Sequence, residues 1–386
     1  MRVLLTGGWV YTPAGFRQGD IAVVDNVCGI AADNISDSDI EFERVIDCDS
    51  SFILPGLCDV HVHLREPGYG YKETIASGSM AGAHGGYTCL CSMPNLDPAP
   101  TEMAGLQSQL DIIKRDAVIN VIPYGRITKA DAKASAACAD TSDVNAVLAD
   151  MESMADSVAA FSDDGSGVAD ADVMEAAMRK AASLGKIIAA HCEDMDYSPE
   201  DPRSEWKQLE RDLALCEKTG CRYHVCHISS GESVELIRKA KAAGLDVTCE
   251  TAPHYLVLNN ETVRNETAQN EAEGGRFRMN PPIRSEKDRI ALIEGLQDGT
   301  IDMIATDHAP HTRQEKSGGF AKSLNGITGL ETAFPVLYTQ LVDKGIISLE
   351  KLVELMAINP RRRFGLAEQK DSDMFGTYGL TVVDVS

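Results

Sequence analysis

The sequence predicts an α/β fold, a (β/α)8 TIM barrel with a small β-sheet domain formed by its N- and C-terminal segments. Three observations predict it. From residue 52 onward, short apolar runs alternate with longer segments of helical periodicity. Eight such runs occur. Polar, chemistry-bearing residues then gather at the C-terminal ends of these runs, the face on which a barrel builds its sites.

Taken in order, residues 1–51 alternate in short β-type runs, "RVLLTGGWVYTP", "GDIAVVDNVCGIAAD" and "FERVIDCDSSF", divided by Gly, Asn and Asp. They form the first part of the small sheet. Residues 52–364 carry the barrel. Its expected strands are "FILPGLCDVHVHL", "YTCLCSMPN", "NVIPYGRIT", "SVAAFSDDG", "KIIAAHCED", "RYHVCHIS", "DVTCETAPHYL" and "IDMIATDHAPH". The intervening helices are well marked. "DADVMEAAMRKAASLG" places Val173, Ala177 and Ala181 on one face, opens with aspartates and stops at Gly185; "SGESVELIRKAKAAG" repeats the design with Gly244. The competing architecture, a doubly wound open sheet, would be favoured by a Gly-rich phosphate turn, and neither GxGxxG nor a Walker pattern occurs. Residues 365–386 return to strand-like text and are expected to complete the small sheet in shortened form.

Composition narrows the partners. The formal net charge of −23 repels nucleic acid and anionic membrane, so neither is expected to bind. No window approaches a membrane span, and the N-terminus is too short an apolar run for a signal peptide. The 11 cysteines are odd in number and form no CxxC pair, which reads as reduced thiols in a cytoplasmic protein.

The candidate site lies at the strand ends. His61 and His63 close the first strand, Asp163 and Asp164 the fourth, His191 the fifth, His227 the sixth and Asp307 the eighth. Residues two apart share a face of a strand, so His61 and His63 point together, and the same alternation is expected to bring Arg65 to the inward side. Imidazoles and carboxylates converging on one point suit Zn²⁺ or a similar divalent ion. Singly, a histidine at a strand end is more often a hydrogen-bonded core or rim residue than a ligand; five strand ends agreeing favours a metal site. His84, His224 and His308 read as structural, and His254 as a residue behind the ligands.

"DVHVHLREPG", "MPN", "FSDDG", "AAHCED", "YHVCHIS", "RMNPPIR" and "ATDHAPH" together resemble, in order and spacing, the class I bacterial dihydroorotases of the amidohydrolase superfamily. The resemblance covers nearly the whole chain. It implies a cytoplasmic enzyme of de novo pyrimidine (UMP) biosynthesis that interconverts N-carbamoyl-L-aspartate and (S)-dihydroorotate by hydrolysis or closure of a cyclic amide. It also implies two Zn²⁺ per subunit. His61, His63 and Asp307 would hold one ion, His191 and His227 the other, and Asp164 would bridge them. Asp163 is the alternative bridge, and its replacement is expected to be milder if Asp164 is the ligand. Residues 134–179 contain no lysine, so the fourth strand offers no carboxylated lysine of the kind many cyclic amidohydrolases use.

The resemblance further assigns Asp307 as the catalytic acid–base group and Arg65, Asn95 and His311 to the substrate carboxylate. His63, Asn280, Asn325 and Gly326 complete the substrate contacts. Each has an ordinary alternative: Arg65 pairing with Glu66, Asn95 capping the helix after "MPN", His311 shaping its loop. Leu324 and Asn325 stand where many relatives carry Pro-Phe, and the connection from His191 to His227 is shorter than in typical relatives. A homodimer is the expected assembly, with aspartate carbamoyltransferase as a candidate partner. The rival readings are another cyclic amidohydrolase, hydantoinase- or allantoinase-like, and a non-catalytic scaffold for aspartate carbamoyltransferase. Scaffolds of that kind lack metal ligands, whereas all six candidate ligands are present here.

Overall fold

The computed structural model describes residues 2–24, 27–31, 41–129, 144–366 and 379–385. The N-terminal segment folds as β1 (Arg2–Thr12), β2 (Gly15–Val24), β3 (Val27–Ala31), β4 (Arg44–Asp47) and β5 (Ser51–Pro55). β1 pairs antiparallel with β2 and parallel with β4 and β5. Val10, Ile21 and Ile53 close the apolar side of this sheet.

The chain then enters the barrel through β6 (Leu57–Val62), β7 (Tyr87–Ser92), β8 (Asn120–Pro123), β9 (Ile187–Ala190), β10 (Arg222–Val225), β11 (Val247–Thr251) and β12 (Met303–Ile304). All ladders among them are parallel, in two arcs ordered β6-β7-β8 and β12-β11-β10-β9. Isolated bridges join the arcs. Phe161 pairs with both Gly125 and Ile188 on one side, and Val62 pairs with His308 on the other. The expected (β/α)8 barrel is the fold observed.

The fourth strand differs from the expectation. "SVAAFSDDG" is not a full strand but a bridge at Phe161. Its few hydrogen bonds still run to both neighbours: Phe161 N donates to Ile187 O, and Ser162 N to Gly125 O. The polar Ser-Asp-Asp-Gly run follows at once and ends the pairing. A glycine is needed opposite, because a Cβ on Gly125 would lie 2.7 Å from the Phe161 ring.

The helices pack outside as their apolar stripes require. Helix Ala171–Ser183 buries Val173, Met174, Ala177, Met178 and Ala181, and Asp170 caps it by accepting from Asp172 N and Val173 N. Ser230 caps helix Gly231–Ala242 in the same way. Gly185 and Gly244 follow the two helices with φ of +66° and +83°. Residues two apart on β6, β7 and β9, Cys58 and Val60, Cys89 and Cys91, Ile187 and Ala189, fill the barrel interior with Tyr124 and Phe364. Cys48, Cys58, Cys89, Cys91, Cys192, Cys216, Cys221, Cys226 and Cys249 are free and buried.

The C-terminal segment expected from residue 365 lies outside the described residues over 367–378 and at 386. Its β13 (Leu380–Asp384) pairs antiparallel with β5, beside the N-terminal strands. No helix among the described residues is long and apolar enough to cross a membrane.

Candidate metal centre and active site

The first strand delivers its two histidines through an irregularity. The β6–β7 register shifts between Asp59 and Val62, and Asp59 accepts from His61 N at 3.0 Å and from Thr306 N at 3.0 Å. This buried carboxylate ties the first strand to the eighth, and burial pushes it up to about 7. His61 is fixed from behind. Its Nδ1 lies 2.7 Å from Glu250 Oε1, so the proton sits on Nδ1 and the Nε2 lone pair faces the site. Glu250 also meets His224 Nε2 at 3.1 Å.

His63 is fixed in the same sense by Asn95, whose Oδ1 lies 2.9 Å from its Nδ1. The amide nitrogen of Asn95 donates to the Asp164 carbonyl at 3.1 Å and to Asp164 Oδ2 at 3.2 Å. Asn95 therefore does not cap the following helix, which starts at Met103 after Glu102.

The Asp163/Asp164 alternative resolves by packing. Asp163 turns away and accepts from Ile127 N and the Thr128 hydroxyl, with the Arg126 guanidinium 3.0 Å off. Asp164 turns inward. Its Oδ1 lies 3.3 Å from His61 Nε2, 3.5 Å from His227 Nε2 and 3.9 Å from His191 Nδ1. Its Oδ2 lies 3.4 Å from His63 Nε2. His191 Nδ1 and His227 Nε2 are themselves 3.0 Å apart. Asp307 Oδ1 completes the cluster, 3.2 Å from His63 Nε2 and 3.6 Å from His61 Nε2. Burial alone would push the Asp164 and Asp307 carboxyls up, but the surrounding imidazoles hold Asp164 well below its usual range and lower Asp307 as well.

These atoms fit a metal. His61, His63 and Asp307 each offer a donor atom within 4.8 Å of one another, as do His61, Asp164 and His227. His61 Nε2 and Asp164 Oδ1 are buried without a hydrogen-bond partner. Two acceptor atoms facing each other in a dry site are unfavourable unless a cation lies between them. A nitrogen and carboxylate set of this kind suits a divalent ion.

A pocket of about 230 Å³ opens over the cluster, lined by His63, Arg65, Asn95, Asp164, His191, His227, Asn280, Asp307, His311, Asn325 and Gly326 among others. Arg65 is not placed there by strand alternation, because β6 ends at Val62. It adopts φ +50°, and its Nε donates to Pro310 O at 3.2 Å. Glu66 is not its partner; that carboxylate accepts from Ile75 N instead. His227 and Asp307 also have positive φ, +32° and +48°. Such backbone costs about 1–3 kcal/mol per residue and concentrates at sites that require it. His311 Nδ1 lies 3.2 Å from Lys72 Nζ, and its Nε2 donates to Asn325 O at 2.7 Å. Burial, then Arg65, lowers it to about 4, so it is neutral at pH 7. Asn280 Nδ2 donates to Glu193 Oε2 at 3.2 Å, the atom that also meets His191 Nε2 at 3.1 Å.

His224 and His308 stand outside the cluster; the latter meets Glu73 at 3.1 Å. His84 is exposed near Glu331. Sequence reasoning missed Glu250, Glu193 and Lys72. A signal existed for Glu250 alone, a carboxylate inside the otherwise uncharged strand "VTCET".

Comparison with known proteins identifies the family. A family model described as Dihydro-orotase-like matches residues 50–201. The dihydroorotase of Fusobacterium nucleatum is 45% identical over 368 residues, covering 91% of this chain and 81% of that protein. The dihydroorotase of Bacillus thuringiensis is 42% identical over 384 residues, covering 95% and 84%. Among solved structures, the L-hydantoinase (dihydropyrimidinase) of Arthrobacter aurescens superposes with a TM-score of 0.82 at 26% identity, over 98% of this chain and 85% of that one. The dihydropyrimidinase of Brevibacillus agri does so with a TM-score of 0.82 at 22% identity, over 98% and 84%, a likeness of fold alone. The barrel is thus common to the cyclic amidohydrolases, while sequence identity sustained over more than nine-tenths of the chain is to one branch of them: the chain belongs to the dihydroorotase family.

Proposed function

We propose that this chain interconverts N-carbamoyl-L-aspartate and (S)-dihydroorotate at a centre of two zinc ions. Family membership makes it a hydrolase of a cyclic amide C–N bond, a dihydroorotase. The observation that carries the finer reading is the convergence of six donor residues, His61, His63, Asp164, His191, His227 and Asp307, beneath a pocket that Arg65 lines. No carboxylate of the described residues forms an ion pair with Arg65.

His61, His63 and Asp307 would hold one ion, His191 and His227 the other, with Asp164 between them. When bound, the ions supply polarisation of the ring carbonyl and a lowered pKa for water. Asp307 takes a proton from the attacking water and passes it to the leaving ring nitrogen; ring closure reverses the transfer. The planar fork of Arg65 matches the substrate carboxylate. His311, its tautomer set by the Lys72 ammonium at Nδ1, gives its one N–H to Asn325 O and would have to turn it from that carbonyl to meet the substrate carboxylate. Asn280, Asn325 and Gly326 also line the pocket and would meet the ring amide. Asn95 acts first as a strut between His63 and Asp164, since both ends of its amide are engaged.

The test is loss of dihydroorotate absorbance with zinc-loaded protein, run beside hydantoin, which lacks the carboxylate. Turnover of dihydroorotate with about two bound Zn²⁺ per chain is the expected result. Preference for hydantoin would favour the hydantoinase-like rival. Absence of bound metal with no turnover would favour the scaffold reading. Light scattering would test the homodimer, and co-purification the contact with aspartate carbamoyltransferase.

A further inference from the structure

One cation in this molecule has a task that the reaction does not explain. Lys316 is the last residue of the short helix Arg313–Lys316, which Thr312 caps, and lies outside the pocket. Its Nζ donates to three backbone carbonyls at once: Arg278 O at 3.0 Å, Leu324 O at 2.9 Å and Gly326 O at 2.7 Å. An ammonium has three N–H donors, so the group is saturated by backbone alone. Two of these carbonyls flank Asn325, and Asn325 and Gly326 line the pocket.

The same segment is gathered from other directions. Leu324 N donates to Glu315 O and Gly326 N to Arg278 O. Arg278 Nε donates to Asn325 Oδ1, and the Asn325 carbonyl receives His311 Nε2–H. Gly326 sits at φ +148°, where an added Cβ would lie 2.3 Å from Ala309 O and 2.9 Å from His311 Cδ2. The segment is therefore packed directly on His311, and small displacements of 324–326 reach the pocket wall. Without the ammonium, the Leu324 and Gly326 carbonyls would lose this donor, while Arg278 O kept Gly326 N, and the segment would move to find water.

We propose that Lys316 is a positioning residue: by holding the Leu324 and Gly326 carbonyls against Arg278 it fixes the pocket wall formed by Asn325 and Gly326, and thereby sets substrate affinity rather than the chemistry at the metal donors. The inference rests on the dihydroorotase reading for its kinetic consequence, but not for its structural one. None of the six metal donors touches Lys316, so an effect on binding should separate from an effect on turnover.

The experiment compares zinc-loaded wild type, Lys316→Met and Lys316→Arg. Three readouts are taken: metal content, steady-state kinetics with dihydroorotate, and hydrogen exchange of a peptide spanning 322–328. For Lys316→Met the expected result is unchanged zinc and faster exchange in that peptide. KM should rise about tenfold while kcat changes less than about threefold. Lys316→Arg, which keeps the charge, should recover a part of both exchange protection and KM. Unchanged exchange with unchanged KM overturns the proposal, as does a loss confined to kcat. If Lys316→Met does not fold, Lys316→Gln is read by the same criteria; if neither folds with metal bound, Lys316 supports the whole barrel and the proposal also falls. Wild type that leaves dihydroorotate untouched would sink the reading of function instead, while the exchange data would still decide whether Lys316 holds the segment.

Discussion

Glu250 Oε1 and His61 Nδ1 lie 2.7 Å apart in the barrel interior, both buried, joining the seventh strand to the first. The contact fixes which nitrogen of His61 carries the proton. A carboxylate in this position raises the basicity of the imidazole and holds its plane. Glu250 also accepts from His224, so one side chain serves two rings.

Replacing Glu250 with Gln should therefore weaken metal binding without removing a ligand. A neutral amide cannot accept from both rings through one oxygen while its nitrogen faces the other. Metal affinity should fall about 10- to 100-fold, measured by competition with a chromophoric chelator. An unchanged affinity would mean that His61 is oriented by other contacts.

The two adjacent aspartates should fail in different ways. Asp164→Ala removes a carboxylate that faces four histidines and should lose bound metal with little change in the fold. Asp163→Ala removes the acceptor for Ile127 N and Thr128 and the counter-charge of buried Arg126. It should cost about 3–5 kcal/mol of stability. The sequence led us to expect the Asp163 change to be the milder one. Packing reverses that for stability and keeps it for metal. Thermal melts and metal analysis of both variants decide the matter; metal loss confined to Asp163→Ala would exchange the two roles.

Acid should destabilise the protein partly through His254. This histidine is buried, and burial, set against Asp307, holds it down to about 4. Its folded value thus lies below the unfolded value of about 6.5. Between these limits the unfolded chain binds a proton that the folded chain refuses, so stability is present above pH 6.5 and is lost as pH falls toward 4. The contribution reaches about 3 kcal/mol at the lower end. The measurement is the difference in denaturation midpoint between wild type and His254→Asn across pH 7.5 to 4.5, with zinc in excess. Wild type should lose more stability than the variant; parallel curves would show that His254 titrates normally.

The barrel was legible because its signal is local. An apolar run ending in a polar residue can be read within ten residues, and repetition made the barrel the economical reading. The clustered imidazoles and carboxylates were legible for the same reason, since each stands at the end of an apolar run, His61 and His63 sharing the first. What stayed hidden depends on contacts between distant segments. Glu250 is 189 residues from His61 in sequence, and nothing near it marks the pairing. Asn95 looked like a helix cap because caps are local, whereas its partners, His63 and Asp164, are brought to it by barrel closure. Arg65 was expected in the site for an incomplete reason. Alternation accounts for residues on a strand, but the strand ends at Val62, and a left-handed backbone turns Arg65 over the centre.

That turn makes Arg65 the sharpest test of substrate chemistry. Its Nε is committed to Pro310 O, which anchors the guanidinium at one edge. No carboxylate of the described residues pairs with the remainder, although the chain carries a formal net charge of −23 and acidic groups are abundant. A guanidinium held at a pocket wall, with Asp307, Glu73, Asp164 and Glu315 near enough to attract it but none paired with it, is suited to an anionic ligand. Arg65→Met keeps much of the side-chain length and removes the charge. Folding should survive, since the main loss is one hydrogen bond to a loop carbonyl, and zinc content should hold because Arg65 is not among the donors. Catalysis should suffer by about 2–3 kcal/mol, or about 30- to 150-fold in kcat/KM with dihydroorotate. A neutral cyclic amide lacking the carboxylate should lose far less, because it never used the contact. The ratio of the two losses is the informative quantity. Equal losses would mean that Arg65 supports the wall of the site through Pro310, and the substrate carboxylate would then have to be held by His311.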